Sequence, residues 1–111
     1  IDELVTNLIS NAIKYTPVKG RVDVSLSRDP QNRVLFAVSD TGIGIAEDDL
    51  PRLFAEFFRT DNAKAFAEEG TGLGLAIVKE ILDRMGGTIC VESRLGQGSR
   101  FSCQLPGLPQ P

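Results

Sequence analysis

Apolar residues recur at spacings of three and four from Asp2 to Tyr15, which predicts an amphipathic helix with one buried face. At about 100° per residue, Asn7, Asn11 and Lys14 form a separate polar stripe, with Tyr15 at its edge. Such a stripe is usually a solvated face. Asparagine is a poor helix former, however, so two of them one turn apart also suit a neutral oxygen ligand for a hard cation. The expected buried residues are Leu4, Val5, Leu8, Ile9, Ala12 and Ile13.

Two stretches that follow alternate between apolar and polar residues, which predicts an antiparallel hairpin with one apolar face. The same alternation places Asp40 on that face at the end of the second strand, where a buried carboxylate requires partners. Capping of a turn is the alternative role for Asp40. In the loop 41–45, Gly42 and Gly44 let a flat ligand approach the backbone. The apolar strand residues are Val22, Val24, Leu26, Val34, Phe36 and Val38.

The next two segments differ in their content of bulky apolar residues. The pattern over 47–60 predicts a short helix with Asp48 or Asp49 as its N-cap. The segment 60–69 is polar and alanine-rich, with Phe66 as its only bulky apolar residue, which is typical of a lid or a disordered loop. The apolar side of the predicted helix consists of Leu50, Leu53, Phe54, Phe57 and Phe58.

Gly70, Gly72 and Gly74 lead directly into another amphipathic pattern, an arrangement that suits phosphate binding. Glycine lets the backbone come close to a ligand, and the first helical turn offers unpaired N–H groups to an anion. The spacing matches neither the dinucleotide fingerprint nor the P-loop. A tightly packed helix N-terminus without a ligand is the alternative. The expected buried face of this helix is Leu73, Ala76, Ile77, Ile81, Leu82 and Met85.

A second hairpin is predicted near the C-terminus, and its apolar pattern determines its register. A symmetric turn would set Cys90 opposite Cys103, but it would place the apolar residues of the two strands on opposite faces. A shift by one residue restores a single apolar face and sends the cysteines to opposite sides. Two free thiols are therefore expected. The alternating positions are Ile89, Val91 and Ser93 on one strand and Phe101, Cys103 and Leu105 on the other.

Composition narrows the class of protein. The 111 residues are 41% hydrophobic, with a net charge of −3, two cysteines and no histidine. This suits one domain with its own core, and its acidity argues against nucleic-acid binding. A polyphosphate ligand would need a metal ion as additional positive charge. No apolar run reaches the length of a membrane span, so no membrane contact by this domain is expected.

Four stretches, in order, resemble the four boxes of sensor histidine kinase ATP-binding domains: 7–15, 40–45, 53–59 and 70–75. The resemblance runs from about Glu3 to Pro106. It implies an α+β fold, the Bergerat-type two-layer α/β sandwich, with a mixed, mostly antiparallel sheet, helices on one face and ATP under a mobile lid. We expect an ATP-binding domain over 1–106 and a tail over 107–111. The family's usual upstream strand is missing before Ile1, where the pattern opens partway into a helix, as in a piece of a longer protein.

The resemblance also implies roles for individual residues. Asn11 matches the magnesium ligand, and Lys14 and Arg59 match the catalytic residues that meet the phosphates. Asp40 matches the carboxylate that accepts a hydrogen bond from the adenine amino group, and Ser99 matches a hydroxyl that contacts the adenine side through water. The further nucleotide-binding residues that it implies are Asn7, Tyr15, Gly42, Gly44, Ile45, Phe58, Gly70, Thr71, Gly72, Leu73, Gly74 and Leu75.

Two alternatives to a kinase role stay open. Gyrase, heat-shock chaperone and mismatch-repair ATPases are similar in fold but carry a glutamate, a general base, at the position of Asn7. The other alternative is a noncatalytic module that binds a nucleotide or a partner. Because the chain has no histidine, the kinase interpretation requires an acceptor on a separate histidine-bearing dimerisation domain. It also implies a response regulator receiver domain downstream and a cytoplasmic location, in a parent protein that can be membrane-anchored.

Overall fold

The computed structural model describes residues 2–66 and 74–107, which form an antiparallel sheet with helices on one face. The elements are α1 (Asp2–Lys14), β1 (Val22–Arg28), β2 (Val34–Asp40), a 3-10 helix (Glu47–Arg52), α2 (Asp61–Phe66), α3 (Gly74–Met85), β3 (Thr88–Arg94) and β4 (Gly98–Leu105). The strand order is β1-β2-β4-β3, and each described pairing is antiparallel. The predicted α+β sandwich is confirmed. Within these two ranges, no helix has the length and hydropathy of a membrane span.

Helix α1 forms as predicted and packs against α3 and β2, with a smaller contact to β1. Its Leu4, Leu8 and Ala12 are buried, and Val5 and Ile9 pack against the core from its edge.

The predicted burial is wrong at the outer edge of the sheet. Ile13 of α1 is 61% exposed, and on the edge strand Val24 is 48% and Leu26 is 72% exposed. The physical reason is placement, because α1 lies mainly over β2 and α3 contacts β3, so that β1 is poorly covered.

The strand registers place apolar residues in rows across the helix-covered face. Val38 of β2 lies opposite Phe101 of β4, which in turn lies opposite Val91 of β3. In the next row, Cys103 of β4 lies between Phe36 of β2 and Ile89 of β3. Both predicted hairpins and the apolar face of the second are therefore confirmed.

The shift in register also separates the two cysteines. Cys90 lies opposite Ser102 on the open face, whereas Cys103 lies opposite Ile89 in the core. Cys90 is exposed, Cys103 is buried, and neither forms a disulfide. The expectation of two free thiols is confirmed.

In helix α3 the predicted burial is confirmed at Leu82 but wrong at Met85. Val78 and Leu82 are fully buried, whereas Met85 is 36% exposed. The prediction omitted Val78 and included Met85. It failed because the run from Leu75 to Val78 is continuously apolar, so its periodicity alone does not fix which side faces the core. Contact with both α1 and the sheet decides the phase.

The predicted helix over 47–60 is also wrong beyond its first turns. The 3-10 helix ends at Arg52, and its N-cap residue is Ala46, which makes no side-chain capping hydrogen bond. Pro51 lies within this helix and has no N–H to continue a ladder. Phe57 then takes a left-handed φ of 64°, which is incompatible with a helix and redirects the chain.

The segment after Thr60 is better anchored than its composition indicated. Thr60 and Ala63 are buried, and the Ala63 N–H donates to the Thr60 hydroxyl oxygen at 3.1 Å, which caps α2. The alternative of a disordered loop is therefore wrong for residues 60–66, which include helix α2. The remainder of the predicted lid, residues 67–69, lies outside the described residues.

The register predicts unequal reactivity of the two thiols. Burial, together with the charge of Cys90, raises the pKa of the Cys103 thiol to about 11 and lowers its thiolate fraction at neutral pH. A thiol reagent at pH 7.5 should modify one thiol rapidly in the folded chain and both after denaturation.

The Cys90→Ser variant should leave no fast phase in the folded state. A fast phase of equal size in that variant would contradict the register of β3 on β4.

Candidate functional site

A cavity of about 600 Å³ opens between α1, the start of α3, α2 and the end of the sheet. This volume is typical of a small-molecule site. Twelve of the residues implied by the sequence line it: Asn7, Asn11, Lys14, Tyr15, Asp40, Gly44, Ile45, Phe58, Arg59, Gly74, Leu75 and Ser99.

The remaining implied residues are not part of this wall. Gly42 lies behind it, where a Cβ atom would come within 2.3 Å of the Tyr15 carbonyl oxygen. Glycine is therefore required there for the packing of the loop against the end of α1. Four further residues lie outside the described part of the chain: Gly70, Thr71, Gly72 and Leu73.

Asp40 is half-buried at the end of β2. Its Oδ1 atom accepts hydrogen bonds from the Gly42 N–H at 2.9 Å and the Ser99 N–H at 3.2 Å. Burial raises the pKa of the Asp40 carboxyl, and these two backbone donors oppose the rise. No described residue forms a hydrogen bond with Oδ2. One carboxylate oxygen is therefore held by the protein, and the other can accept a hydrogen bond from a ligand.

The loop 41–45 is held by neighbouring backbone groups on two sides. The Ile43 N–H donates to the Tyr15 carbonyl at 3.1 Å, and the Ile43 carbonyl accepts from the Gly96 N–H at 2.8 Å. Gly44 has a φ of 74°, and a Cβ atom there would lie 2.0 Å from the Arg94 carbonyl oxygen. This position requires glycine on both counts.

Two polar residues that the sequence analysis missed also hold this loop. The Asn62 amide donates to the Gly44 carbonyl at 3.0 Å, and the Ile45 N–H donates to the Ser93 hydroxyl oxygen at 2.8 Å. A serine that continues the apolar alternation of β3 was an available signal for Ser93, whereas Asn62 carried none. The lining residues that the sequence analysis missed are Ser10, Ile43, Leu53, Thr60, Ala63, Ile77 and Phe101.

The polar stripe of α1 faces the beginning of α3. The Asn7 side-chain amide donates to the Glu3 carbonyl at 2.8 Å, and its Oδ1 lies 3.5 Å from the Cβ position of Gly74. The Asn11 side chain forms no hydrogen bond with a described residue. The first turn of α3 offers N–H groups and the positive end of the helix dipole. This end of the cavity therefore suits an anion with a cation bound to it.

Two basic residues meet at Tyr15. The Lys14 ammonium lies 5.3 Å from the centroid of the Tyr15 ring, and Arg59 donates from Nη2 to the Tyr15 hydroxyl oxygen at 3.3 Å. Arg59 also donates to the Ala63 carbonyl at 3.3 Å. Asp40 is the only carboxylate among the described lining residues. The cavity thus combines one hydrogen-bond-accepting acid with two cations.

Comparison with known proteins identifies the family of this chain. Residues 1–109 match the family model described as histidine kinase-, DNA gyrase B-, and HSP90-like ATPase. The chain is 47% identical over 108 residues to the sensor-like histidine kinase SenX3 of Mycolicibacterium smegmatis, covering 96% of this chain and 28% of SenX3. It is 48% identical to the sensor histidine kinase RppB of Synechocystis sp., covering 93% and 22%. The chain therefore spans about a quarter of the length of these relatives.

Solved structures show the same fold. The mycobacterial sensor histidine kinase MprB superposes with a TM-score of 0.85 at 33% identity, over 97% of this chain and 72% of that one. Full-length ShkA in complex with AMPPNP superposes with a TM-score of 0.80 at 39% identity, over 94% and 20%. The chain belongs to the family of histidine kinase-, DNA gyrase B- and HSP90-like ATPases, as an ATP-binding domain of the sensor histidine kinase type.

Proposed function

We propose that this domain binds Mg-ATP in the cavity and donates the γ-phosphate to a histidine on a separate dimerisation domain. One observation carries the proposal most directly: the same cavity is lined by a hydrogen-bond acceptor, Asp40, and by the polar stripe of α1, whose Asn7 faces Gly74 at the start of α3. ATP needs both, because its adenine amino group and its triphosphate are bound by different sets of residues. A chain without histidine then needs its acceptor elsewhere.

The base end suits adenine. Oδ2 of Asp40 accepts a hydrogen bond from the exocyclic amino group, and Ile45 and Phe58 provide apolar walls for the ring. The guanidinium of Arg52 lies 4.9 Å from the centroid of the Phe58 ring and holds that ring by a cation–π contact. The AMPPNP bound to the ShkA relative supports a nucleotide in this cavity.

The phosphate end suits magnesium. The amide oxygen of Asn11 is a ligand of the kind that a hard cation takes, and Mg²⁺ typically combines few protein ligands with phosphate oxygens and water. No group of three or more acids, cysteines or histidines that could hold a metal occurs within residues 2–66 and 74–107. When bound, the ion supplies positive charge against the phosphates. Lys14 and Arg59 neutralise further charge there and orient the γ-phosphate.

Transfer is favoured over hydrolysis because Asn7 cannot act as a general base. Its amide donates to the Glu3 carbonyl, and no amide can take a proton from water at neutral pH. The nucleophile and any group that activates it then come from the dimerisation domain. We further propose that a response regulator receiver domain takes the phosphate next, in the cytoplasm.

Replacing the carboxylate should weaken nucleotide binding. In Asp40→Asn the amide can turn its NH₂ group toward the adenine amino group, which is also a donor. The loss of a charge-assisted hydrogen bond should cost roughly 1.5–3 kcal/mol. Titration calorimetry with Mg-ADP measures this change, and Asp23→Asn, at an exposed acid on β1 outside the cavity, is the matched control.

A pH series supplies the second arm of this test. Because the pKa of Asp40 is raised, the carboxylate is lost as the pH falls through that raised value, and it is fully present above it. Wild-type affinity should therefore fall more steeply on acidification than the affinity of Asp40→Asn. Equal affinity of the two proteins at pH 7.5 would remove Asp40 from the site.

Phosphotransfer should require a second domain. Incubated with labelled Mg-ATP, the 111-residue chain should remain unlabelled, since it has no histidine. Addition of a purified histidine-bearing dimerisation domain, from the parent protein or from a close relative such as SenX3, should yield an acid-labile phosphate on that domain.

Asn11→Ala should abolish labelling, whereas Gln31→Ala, which removes an exposed amide in the first hairpin turn, should not. Rapid ATP hydrolysis by the isolated chain without transfer would favour the ATPase branch of the family. Binding without either reaction would favour a noncatalytic module.

A further inference from the structure

Three polar side chains form a row across the end of the sheet, on the face that the helices cover. Ser99 of β4 lies directly opposite Asp40 of β2 on one side and Ser93 of β3 on the other. Asp40 and Ser99 line the cavity. Ser93 is on the neighbouring strand β3 and is not a lining residue. The next row is apolar and belongs to the core: Val38, Phe101 and Val91.

Ser93 has three hydrogen-bonding partners, and their chemistry determines where its proton lies. Its hydroxyl oxygen accepts from the Ile45 N–H at 2.8 Å, and it is 2.9 Å from the Gly98 carbonyl oxygen and 2.7 Å from the Ser99 hydroxyl oxygen. A carbonyl can only accept, so the single Ser93 proton belongs to Gly98. The second lone pair of Ser93 then accepts the Ser99 proton. This arrangement satisfies all three contacts.

The opposite arrangement is less favourable. If Ser93 donated to Ser99, the Ser93 and Gly98 oxygens would face each other at 2.9 Å without a proton between them. Two acceptor oxygens at this distance repel each other. The partly buried Gly98 carbonyl would also lose its hydrogen bond from Ser93. Ser99 as a whole residue is only 9% exposed, so its hydroxyl has few other directions in which to turn. Its proton points to Ser93, and its lone pairs are left for the cavity.

From this proton arrangement we infer that Ser93 is a positioning residue that makes Ser99 a hydrogen-bond acceptor, so that Asp40 and Ser99 together select a 6-amino purine over a 6-keto purine. The inference rests on the proposed function, because it takes the base to lie against Asp40. A 6-amino group has two protons, and two acceptors can receive them directly or through water. A keto oxygen has none and meets only lone pairs. Without Ser93, the Ser99 hydroxyl is able to rotate and donate to the keto oxygen.

Titration calorimetry with Mg-ADP and with Mg-IDP tests the inference, since the two nucleotides differ only in the purine ring, at the 6-substituent and the N1 proton. Wild type should prefer ADP. Ser93→Ala should lower the ratio of ADP to IDP affinity by about 3- to 10-fold, the effect of one neutral hydrogen bond. Ser93→Thr keeps a hydroxyl and should restore the wild-type ratio. The matched control is Ser102→Ala, on the open face of the same hairpin, which should leave the ratio unchanged.

A double-mutant cycle separates positioning from simple support of the loop. Ser99→Ala should lower the ratio as Ser93→Ala does, and Ser93→Ala should add nothing to it in the Ser99→Ala background. If Ser93 only supported Ile45, its loss would weaken ADP and IDP equally, and that result would overturn the inference. Should Ser93→Ala fail to fold, Ser99→Ala carries the test, and an unchanged ratio in that variant also overturns it.

Failure of the inference differs from failure of the proposed function. Absence of ADP binding to wild type, or equal ADP affinity in Asp40→Asn, would remove the base from this end of the cavity. ADP binding that depends on Asp40, with selectivity that does not depend on Ser93 or Ser99, would leave the proposed function intact and reject this inference alone.

Discussion

The half-buried carboxylate of Asp40 is the constraint on which the architecture of the site depends. Removing a charged group from water costs free energy unless hydrogen bonds replace its solvation. The Gly42 N–H from the following loop and the Ser99 N–H from the neighbouring strand supply them. Both donors require close backbone approach. A Cβ atom on Gly98 would lie 2.0 Å from the Asp40 carbonyl oxygen. Only glycine therefore fits at the start of β4.

This constraint joins the apolar core to the cavity. The rows of apolar residues across the sheet end at the polar row of Asp40, Ser99 and Ser93, so core register and site geometry are determined together. Helix α1 also packs on α3, with Leu8 and Val78 in one core cluster, and this packing places the polar stripe of α1 beside Gly74. Binding of a nucleotide that contacts both Asp40 and this stripe would therefore depend on how α1 and α3 pack against the sheet.

Much of this arrangement could be predicted from the sequence because its signals are periodic. The alternation in the strands gave both hairpins and the position of Asp40, and the apolar pattern gave the register that separates Cys90 from Cys103. The helical period likewise placed Asn7 and Asn11 on one stripe, and the structure places both at the cavity.

The failures occurred where local pattern does not determine the answer. Residues 75–78 of α3 are all apolar, so periodicity does not show which side of the helix faces the core. The burial of Val78 was missed for this reason. The left-handed Phe57 ends a pattern that would otherwise continue as a helix. Asn62 and Ser93 hold the loop 41–45 from distant parts of the chain, 18 and 48 residues away in sequence. No pattern indicates Asn62, and the alternation of β3 indicates only that Ser93 lies on the covered face, not which loop it binds.

A crystal structure of the chain with magnesium and AMPPNP tests the central claim most directly. The account predicts the adenine amino group within about 2.7–3.2 Å of Oδ2 of Asp40. It also predicts the triphosphate and its metal between Asn11 and the first turn of α3. A nucleotide bound in the reverse direction, or with its base away from Asp40, would contradict the account.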